Sequence, residues 1–171
     1  LGGCLPESGL DLKVDFDSLR QAGAVMGSGG MIVVDDETCM VEFSKYFLTF
    51  ATAESCGKCV PCRVGGRRML ELLTKITDGE GTLDDITQIE AIATGMENGS
   101  LCALGQLTPG PIRSSLRYFR DEFEHHVTQK RCEAKQCVAL TSYYVDPVKC
   151  TACGRCRRAC PVQVIAGDRR S

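Results

Sequence analysis

The sequence lacks the features that would place the protein in a membrane, on a secretion route or on nucleic acid. No apolar run approaches the roughly 18 residues that a transmembrane helix needs. The first residues have neither the charged start nor the apolar middle of a signal peptide. The formal net charge is −2, so no surface for nucleic acid or an anionic membrane is indicated. Because the chain does not start with Met, we expect it to be a piece of a longer or processed protein.

Histidine is also scarce, which limits the kinds of catalysis to consider. The chain has two histidines, and they are adjacent, at His125 and His126. We find no Ser-His-Asp arrangement and predict no catalytic residue. With 171 residues, 43% hydrophobic and 25% charged, the chain should form one ordinary domain or two small ones.

Cysteine is abundant, with twelve in the chain. Most of them fall in two tight runs, which favours metal ligation because a metal site needs several thiolates at one point. Disulfide scaffolds usually scatter their cysteines along a secreted chain. We therefore expect a reducing compartment such as the cytoplasm. Cys4 and Cys39 have no close cysteine neighbours, and we interpret them as buried thiols.

The first run predicts an iron–sulfur cluster. Cys56, Cys59 and Cys62 follow one another at intervals of three, and Cys102 lies in a Gly-flanked turn much further along the chain. Three close cysteines and one remote cysteine are typical of a [4Fe-4S] cluster. These four residues are the predicted ligands, and the chain between them should bring Cys102 back to the first loop.

Four amphipathic segments between residues 37 and 128 predict a four-helix bundle. Thr82 and Thr108 are the expected N-caps of the third and fourth helices. The apolar positions are Met40, Phe43, Phe47 and Phe50 in the first helix, Met69, Leu72, Leu73 and Ile76 in the second, Leu83, Ile86, Ile89, Ile92 and Met96 in the third, and Ile112, Leu116, Phe119, Phe123 and Val127 in the fourth.

The flanks of the bundle differ from it in pattern. Residues 1–36 contain a weak alternation after Val14, which is typical of a short strand or a connector, and a run at 31–34 that predicts a strand. Residues 129–171 hold the second cysteine run, C-x2-C-x2-C-x3-C-P, which is that of bacterial ferredoxins. Cys150, Cys153, Cys156 and Cys160 are its predicted cluster ligands. In two-cluster ferredoxins the fourth cysteine serves the other cluster, so the extension holds either one or two clusters.

A further metal site is suggested by His126, Cys132 and Cys137. Imidazole and thiolate ligands at such gaps suit tetrahedral zinc. Only three ligands are visible, so a fourth would have to come from elsewhere. Free thiols or cluster ligation are the alternatives.

These motifs resemble a known family. The flavin-binding, NADH-oxidising subunit of respiratory NADH dehydrogenase has similar stretches to four in this chain: Met26-Gly-Ser-Gly-Gly30, Thr38-Cys-Met-Val41, Glu54-Ser-Cys-Gly-Lys-Cys-Val-Pro-Cys-Arg63 and Ser100-Leu-Cys-Ala-Leu-Gly105. The resemblance covers about residues 1–127. It implies that residues 1–36 are the tail of a ubiquitin-like, β-grasp domain, and that Cys56, Cys59, Cys62 and Cys102 hold the cluster that takes electrons from flavin.

The ferredoxin run departs from the respiratory subunit. It resembles the extension of the beta subunit of NAD(P)-linked, electron-bifurcating [FeFe]-hydrogenases and of NAD-dependent formate dehydrogenases. The resemblance implies FMN and NAD(P) sites in an N-terminal domain that this chain lacks, a zinc site near His126, and a truncated ferredoxin-like α+β module after residue 128. Implied partners are a [2Fe-2S] thioredoxin-like subunit and a hydrogenase or dehydrogenase catalytic subunit.

The leading prediction is therefore electron transfer within a soluble multi-subunit oxidoreductase. A structural zinc module is the first alternative, although runs of three cysteines do not suit zinc knuckles. A thiol–disulfide oxidoreductase is the second, although one Cys-x-x-Cys pair would be enough for it.

Overall fold

The computed structural model describes residues 2–166, and within them the chain forms helices and loops but no β-strand. Among these residues no helix is both long and apolar enough to cross a membrane. The helices are α1 (Phe16–Gln21), α2 (Met40–Ala53), a π-helical turn (Pro61–Gly65) that continues into α3 (Gly66–Thr77), α4 (Leu83–Gly99), α5 (Ala103–Leu107), α6 (Gly110–Tyr118), α7 (Arg120–Thr128) and α8 (Arg155–Ala159).

The chain divides into two compact units, residues 1–141 and residues 142–171. The first unit is built on α2, α3, α4 and the pair α6–α7, which confirms the predicted mainly helical bundle. This unit extends past the predicted boundary at residue 128, because Cys132, Cys137 and Leu140 are buried against the bundle core. In the second unit the only regular element among the described residues is α8, so the expected α+β module does not show its strands there.

Helix α4 begins where the local sequence predicts, but the predicted N-cap of the fourth helix is wrong: Thr108 is the C-cap of α5, and α6 begins at Gly110 after Pro109. Thr82 caps α4 in a reciprocal capping box with Asp85, and Lys75 on α3 donates to the same carboxylate at 2.8 Å. Gly79, at φ +81°, takes the left-handed conformation that follows the end of α3. The predicted apolar side of α3 is confirmed, since all four of its residues are buried.

Two helix predictions are corrected. The buried face of α2 is formed by Met40, Val41, Ser44, Leu48 and Ala51, whereas Phe50 is 55% exposed. An aromatic stripe has the same period as the true core face, so the spacing alone cannot say which face meets α3. The predicted fourth helix is two helices, α6 and α7, separated at Phe119, whose ψ of 33° interrupts the helix.

The strands expected before residue 37 are not formed. The run at 31–34 is solvent-exposed, with Val33 at 80% exposure, because no neighbouring strand is present among the described residues to pair with its backbone. The alternation after Val14 instead leads into α1, capped by Asp15, which accepts from the Ser18 N–H at 2.7 Å. The N-terminal segment contacts α6 at two places: Cys4 N donates to Ser114 Oγ at 2.7 Å, and Tyr118 Oη donates to the Ala22 carbonyl at 2.7 Å.

Candidate metal centres

The loop after α2 and the loop after α4 lie against each other at one end of the bundle. Gly99 approaches Pro61 so closely that an added Cβ would lie 2.9 Å from the proline ring. Gly105 is similarly close to the first loop, since its Cβ would lie 3.0 Å from Cys62 Cβ. Side chains at these two positions would therefore push the loops apart. The long-range approach predicted for the Cys102 loop is present.

The four cysteines of these loops differ in exposure. Cys62 is buried in the π-helical turn, Cys59 is half-buried, and Cys56 and Cys102 are exposed. Cys102 is the N-cap of the short helix α5. The backbone N–H of Leu101 is the main group that lowers the pKa of Cys59, and it comes from the opposite loop. The loops thus supply N–H groups that stabilise thiolate sulfur.

Two serine hydroxyls also lie in these loops. Ser55 Oγ is 3.3 Å from Cys62 Sγ, and it accepts a hydrogen bond from the Gly57 N–H at 3.2 Å. Ser100 Oγ is buried and has no hydrogen-bond partner among the described residues. An added Cβ on Gly105 would lie 2.6 Å from that oxygen, so Ser100 faces the same region as Cys62.

A second centre is fully formed at the other end of α2. Cys39, His126, Cys132 and Cys137 are all buried, and their ligand atoms lie within 4.8 Å of one another. Cys39 Sγ is 3.8 Å from Cys137 Sγ and 3.3 Å from His126 Nε2, and Cys137 Sγ is 3.4 Å from the same nitrogen. In a tetrahedral zinc site, bonds of about 2.3 Å to sulfur and about 2.0 Å to nitrogen place neighbouring ligand atoms about 3.5–3.8 Å apart. The arrangement therefore fits a Cys3His zinc site.

Cys39 is a member of this centre that the sequence alone does not reveal. It lies 87 residues before His126, so the sequence predicts only a lone buried thiol at this position. Only the packing of α7 on α2 brings the two together. The one local signal for Cys39 is its position directly before a helix, where N–H groups favour a thiolate. In the structure its sulfur accepts the Glu42 N–H at 3.5 Å.

Neighbouring groups orient the ligands of this centre. His126 Nδ1 lies 2.7 Å from the Glu122 carbonyl oxygen, which places the proton on Nδ1 and leaves Nε2 free to bind a metal. Gln136 Oε1 accepts from the Cys39 N–H at 3.2 Å, and its Nε2 donates to the Glu37 carbonyl at 2.8 Å. Gln136 thereby links the Cys132–Cys137 loop to the segment that carries Cys39.

The thiols of Cys39 and Cys137 affect each other's protonation. Hydrogen bonding from Cys137, reinforced by His126, lowers the pKa of Cys39 to about 4. The pKa of Cys137 is raised, chiefly by the same Cys39 contact and then by burial. One thiolate therefore forms readily in the metal-free site, and a bound cation is what would allow the second one.

The cysteines of the second unit lie around α8. Cys150 and Cys160 are half-buried, whereas Cys153 and Cys156 are exposed. The backbone N–H of Arg155 is the largest cause of the lowered pKa of Cys153, and that of Val164 has the same role for Cys160. Backbone N–H groups therefore favour the thiolate form of Cys153 and Cys160, as they do for Cys59 in the bundle loops.

The fold and its cysteine loops define a helical metal-binding protein of the iron–sulfur type. Residues 42–126 match the NADH-ubiquinone oxidoreductase-F iron-sulfur binding region, and residues 143–166 match a 4Fe-4S binding domain. Residues 42–126 are therefore an iron–sulfur region of the NADH-ubiquinone oxidoreductase-F type, and residues 143–166 are a ferredoxin-type extension.

Individual relatives agree with this assignment. The chain is 45% identical over 169 residues to the NADP-reducing hydrogenase subunit HndC of Solidesulfovibrio fructosivorans, covering 99% of this chain and 34% of that protein. It is 41% identical to the F 2 subunit of the NADH-quinone oxidoreductase of Rhizobium meliloti, covering 75% of this chain and 30% of the relative. The chain thus spans about a third of the length of these relatives.

A solved structure shares the fold. An NAD+-reducing [NiFe]-hydrogenase in the H2-reduced state superposes with a TM-score of 0.67 at 28% identity. The match covers 74% of this chain and 22% of that chain.

Proposed function

We propose that this chain carries electrons between a flavin and NAD(P)H site in its parent protein and partner subunits of an NAD(P)-linked hydrogenase. The observation that carries the proposal is the close approach of the Cys56–Cys62 loop to the Cys102 loop at one end of the bundle. The predicted ligands Cys56, Cys59, Cys62 and Cys102 would hold a [4Fe-4S] cluster there.

The residues present fit such a cluster. Four free thiols are available, and backbone N–H groups from both loops lower the pKa of Cys59. The Ser100 side chain also contributes to the lowered pKa of Cys59, which supports thiolate ligation at this position. When bound, the cluster supplies one-electron redox chemistry, while the chain sets its position, burial and hydrogen bonding.

The extension would add cluster capacity. Cys150, Cys153 and Cys156 would hold one cubic cluster, with Cys160 completing it or serving a second. The lowered pKa values of Cys153 and Cys160, caused chiefly by backbone N–H groups, support thiolate ligation. The extension would then serve as a second branch or a docking arm for electron transfer.

We assign the Cys39, His126, Cys132 and Cys137 centre to structural zinc. All four ligands are buried, which leaves no open coordination position for a substrate. The ion would fasten residues 129–141 to the bundle. Because α2 has 14 residues, the zinc site and the cluster loops lie at helix ends about 20 Å apart. Under this assignment, a structural zinc site and iron–sulfur clusters are present in the same chain.

The identity of the parent enzyme is proposed from the relatives. HndC supports a NADP-reducing hydrogenase, in which FMN, a [2Fe-2S] thioredoxin-like subunit and a hydrogenase catalytic subunit would complete the electron path. A respiratory NADH dehydrogenase is the second candidate, supported by the NADH-quinone oxidoreductase relatives. An NAD-dependent formate dehydrogenase is the third.

Replacing Cys102 tests the cluster assignment. In anaerobically prepared protein, we expect Cys102→Ala to lose the iron of the bundle cluster while keeping zinc. Cys4→Ala is the matched control, because Cys4 is a buried thiol on the N-terminal segment that contacts Ser115 rather than the cysteine loops. Unchanged iron and sulfide in Cys102→Ala would contradict the assignment, and so would an equal loss in the control.

A further inference from the structure

The contact between Ser55 and Cys62 leads to a proposal about cluster potential, which rests on the proposed function. Ser55 lies between the end of α2 and the first ligand, Cys56. Its hydroxyl oxygen is 3.3 Å from Cys62 Sγ. Cys62 is the most buried of the four predicted ligands, at 7% exposure.

The direction of this hydrogen bond follows from the surrounding contacts. A ligating thiolate has no S–H, so Cys62 can only accept. Ser55 Oγ already accepts the Gly57 N–H at 3.2 Å, and its own hydrogen is free to point elsewhere. We propose that Ser55 is a positioning residue that donates its hydroxyl hydrogen to Cys62 Sγ and thereby raises the reduction potential of the bundle cluster.

The sign of the effect comes from electrostatics. Reduction adds one electron, and part of the added charge resides on the ligand sulfurs. A hydroxyl hydrogen near Cys62 Sγ stabilises the reduced form more than the oxidised form, because the interaction grows with negative charge. Burial of Cys62 keeps solvent from screening this contact. The backbone N–H groups around Cys59 act in the same direction, so Ser55 adds a side-chain donor that mutation can remove.

The experiment compares variants of similar shape by redox titration. Ser55→Thr keeps the hydroxyl, and Ser55→Val replaces it with a methyl group at nearly the same volume. Ser55→Ala removes the donor without adding bulk. Ser44→Ala is the control, because Ser44 is a fully buried serine on α2 whose hydroxyl has no hydrogen-bond partner among the described residues. The potential is measured by dithionite titration of the anaerobic, cluster-loaded protein, followed by electron paramagnetic resonance.

We expect Ser55→Val and Ser55→Ala to shift the potential downward, with Ser55→Thr and Ser44→Ala close to the unmodified protein. If Val and Ala fail to retain the cluster while Thr retains it, the hydroxyl contact is also supported. Equal potentials in the Thr and Val variants would overturn the proposal while leaving the cluster assignment intact. Absence of a cluster in the unmodified protein after anaerobic reconstitution would overturn the proposed function and this inference together.

Discussion

Removing the Cys39 thiol should remove most of the zinc-dependent stability of the first unit. The site has four ligands on three segments: Cys39 before α2, His126 on α7, and Cys132 and Cys137 after α7. Cys39→Ala leaves three ligands and removes the metal-mediated link between the start of α2 and residues 126–137. Loss of a partner that merely orients a ligand weakens metal binding about 10–100-fold, so loss of a ligand should cost at least about 100-fold.

The expected stability change follows from mass action. Free zinc at about 1,000 times its dissociation constant stabilises a folded protein by about 4 kcal/mol. For a domain of this size, a change of that order moves the melting temperature by about 10–15 °C. We therefore expect the unmodified protein to melt at a temperature lower by about this amount after chelation.

The assay is thermal unfolding followed by circular dichroism, with and without zinc. In Cys39→Ala, zinc at only about 10 times a 100-fold weaker dissociation constant would stabilise by about 1.4 kcal/mol, so at least about two thirds of the zinc-dependent difference should be lost. Cys4→Ala should keep the full difference. Wild-type zinc affinity in Cys39→Ala would refute the assignment of Cys39 as the fourth ligand.

Three further predictions follow from contacts in the two units. Gln136→Ala should weaken zinc binding about 10–100-fold in a chelator competition, because Cys39 loses its backbone anchor; unchanged affinity would show that the anchor is dispensable. Asp85→Asn should destabilise the protein by about 1–2 kcal/mol at pH 7. Burial raises the pKa of Asp85, but hydrogen bonds with Lys75 and Thr82 outweigh burial and lower the pKa below its ordinary value. The carboxylate therefore stabilises the folded protein at pH values above the unfolded-state pKa of about 3.9. The variant's deficit in urea unfolding should shrink as pH falls below that value, and a deficit independent of pH would argue against the ion pair. Cys153→Ala should reduce the iron content without changing zinc, and unchanged iron would mean that the extension holds no cluster through this residue.

Much of the bundle can be predicted from the sequence because its signals are local. The apolar residues of α3 fall on one face in a stretch with few other apolar side chains, so the pattern allows a single interpretation. Thr82 and Asp85 are close in sequence, and their capping box marks the start of α4 directly.

The features that the sequence does not predict involve contacts between distant parts of the chain. The core face of α2 is decided by α3 and α6, and two apolar stripes on α2 have the same period. A strand at 31–34 needs a partner strand, which no local pattern can supply. Cys39 joins the metal centre only through the packing of α7, whereas Cys132 and Cys137 are close enough in sequence to be recognised as a pair.

The most direct test of the electron-transfer proposal is the iron, acid-labile sulfide and zinc content of anaerobically prepared protein, with absorption spectra before and after dithionite. We expect about four irons and four sulfides per chain for the bundle cluster, about eight of each if the extension also holds one, and visible absorption that bleaches on reduction. We also expect about one zinc per chain. Zinc without iron, even after anaerobic reconstitution, would contradict the electron-transfer function and leave only the structural zinc site.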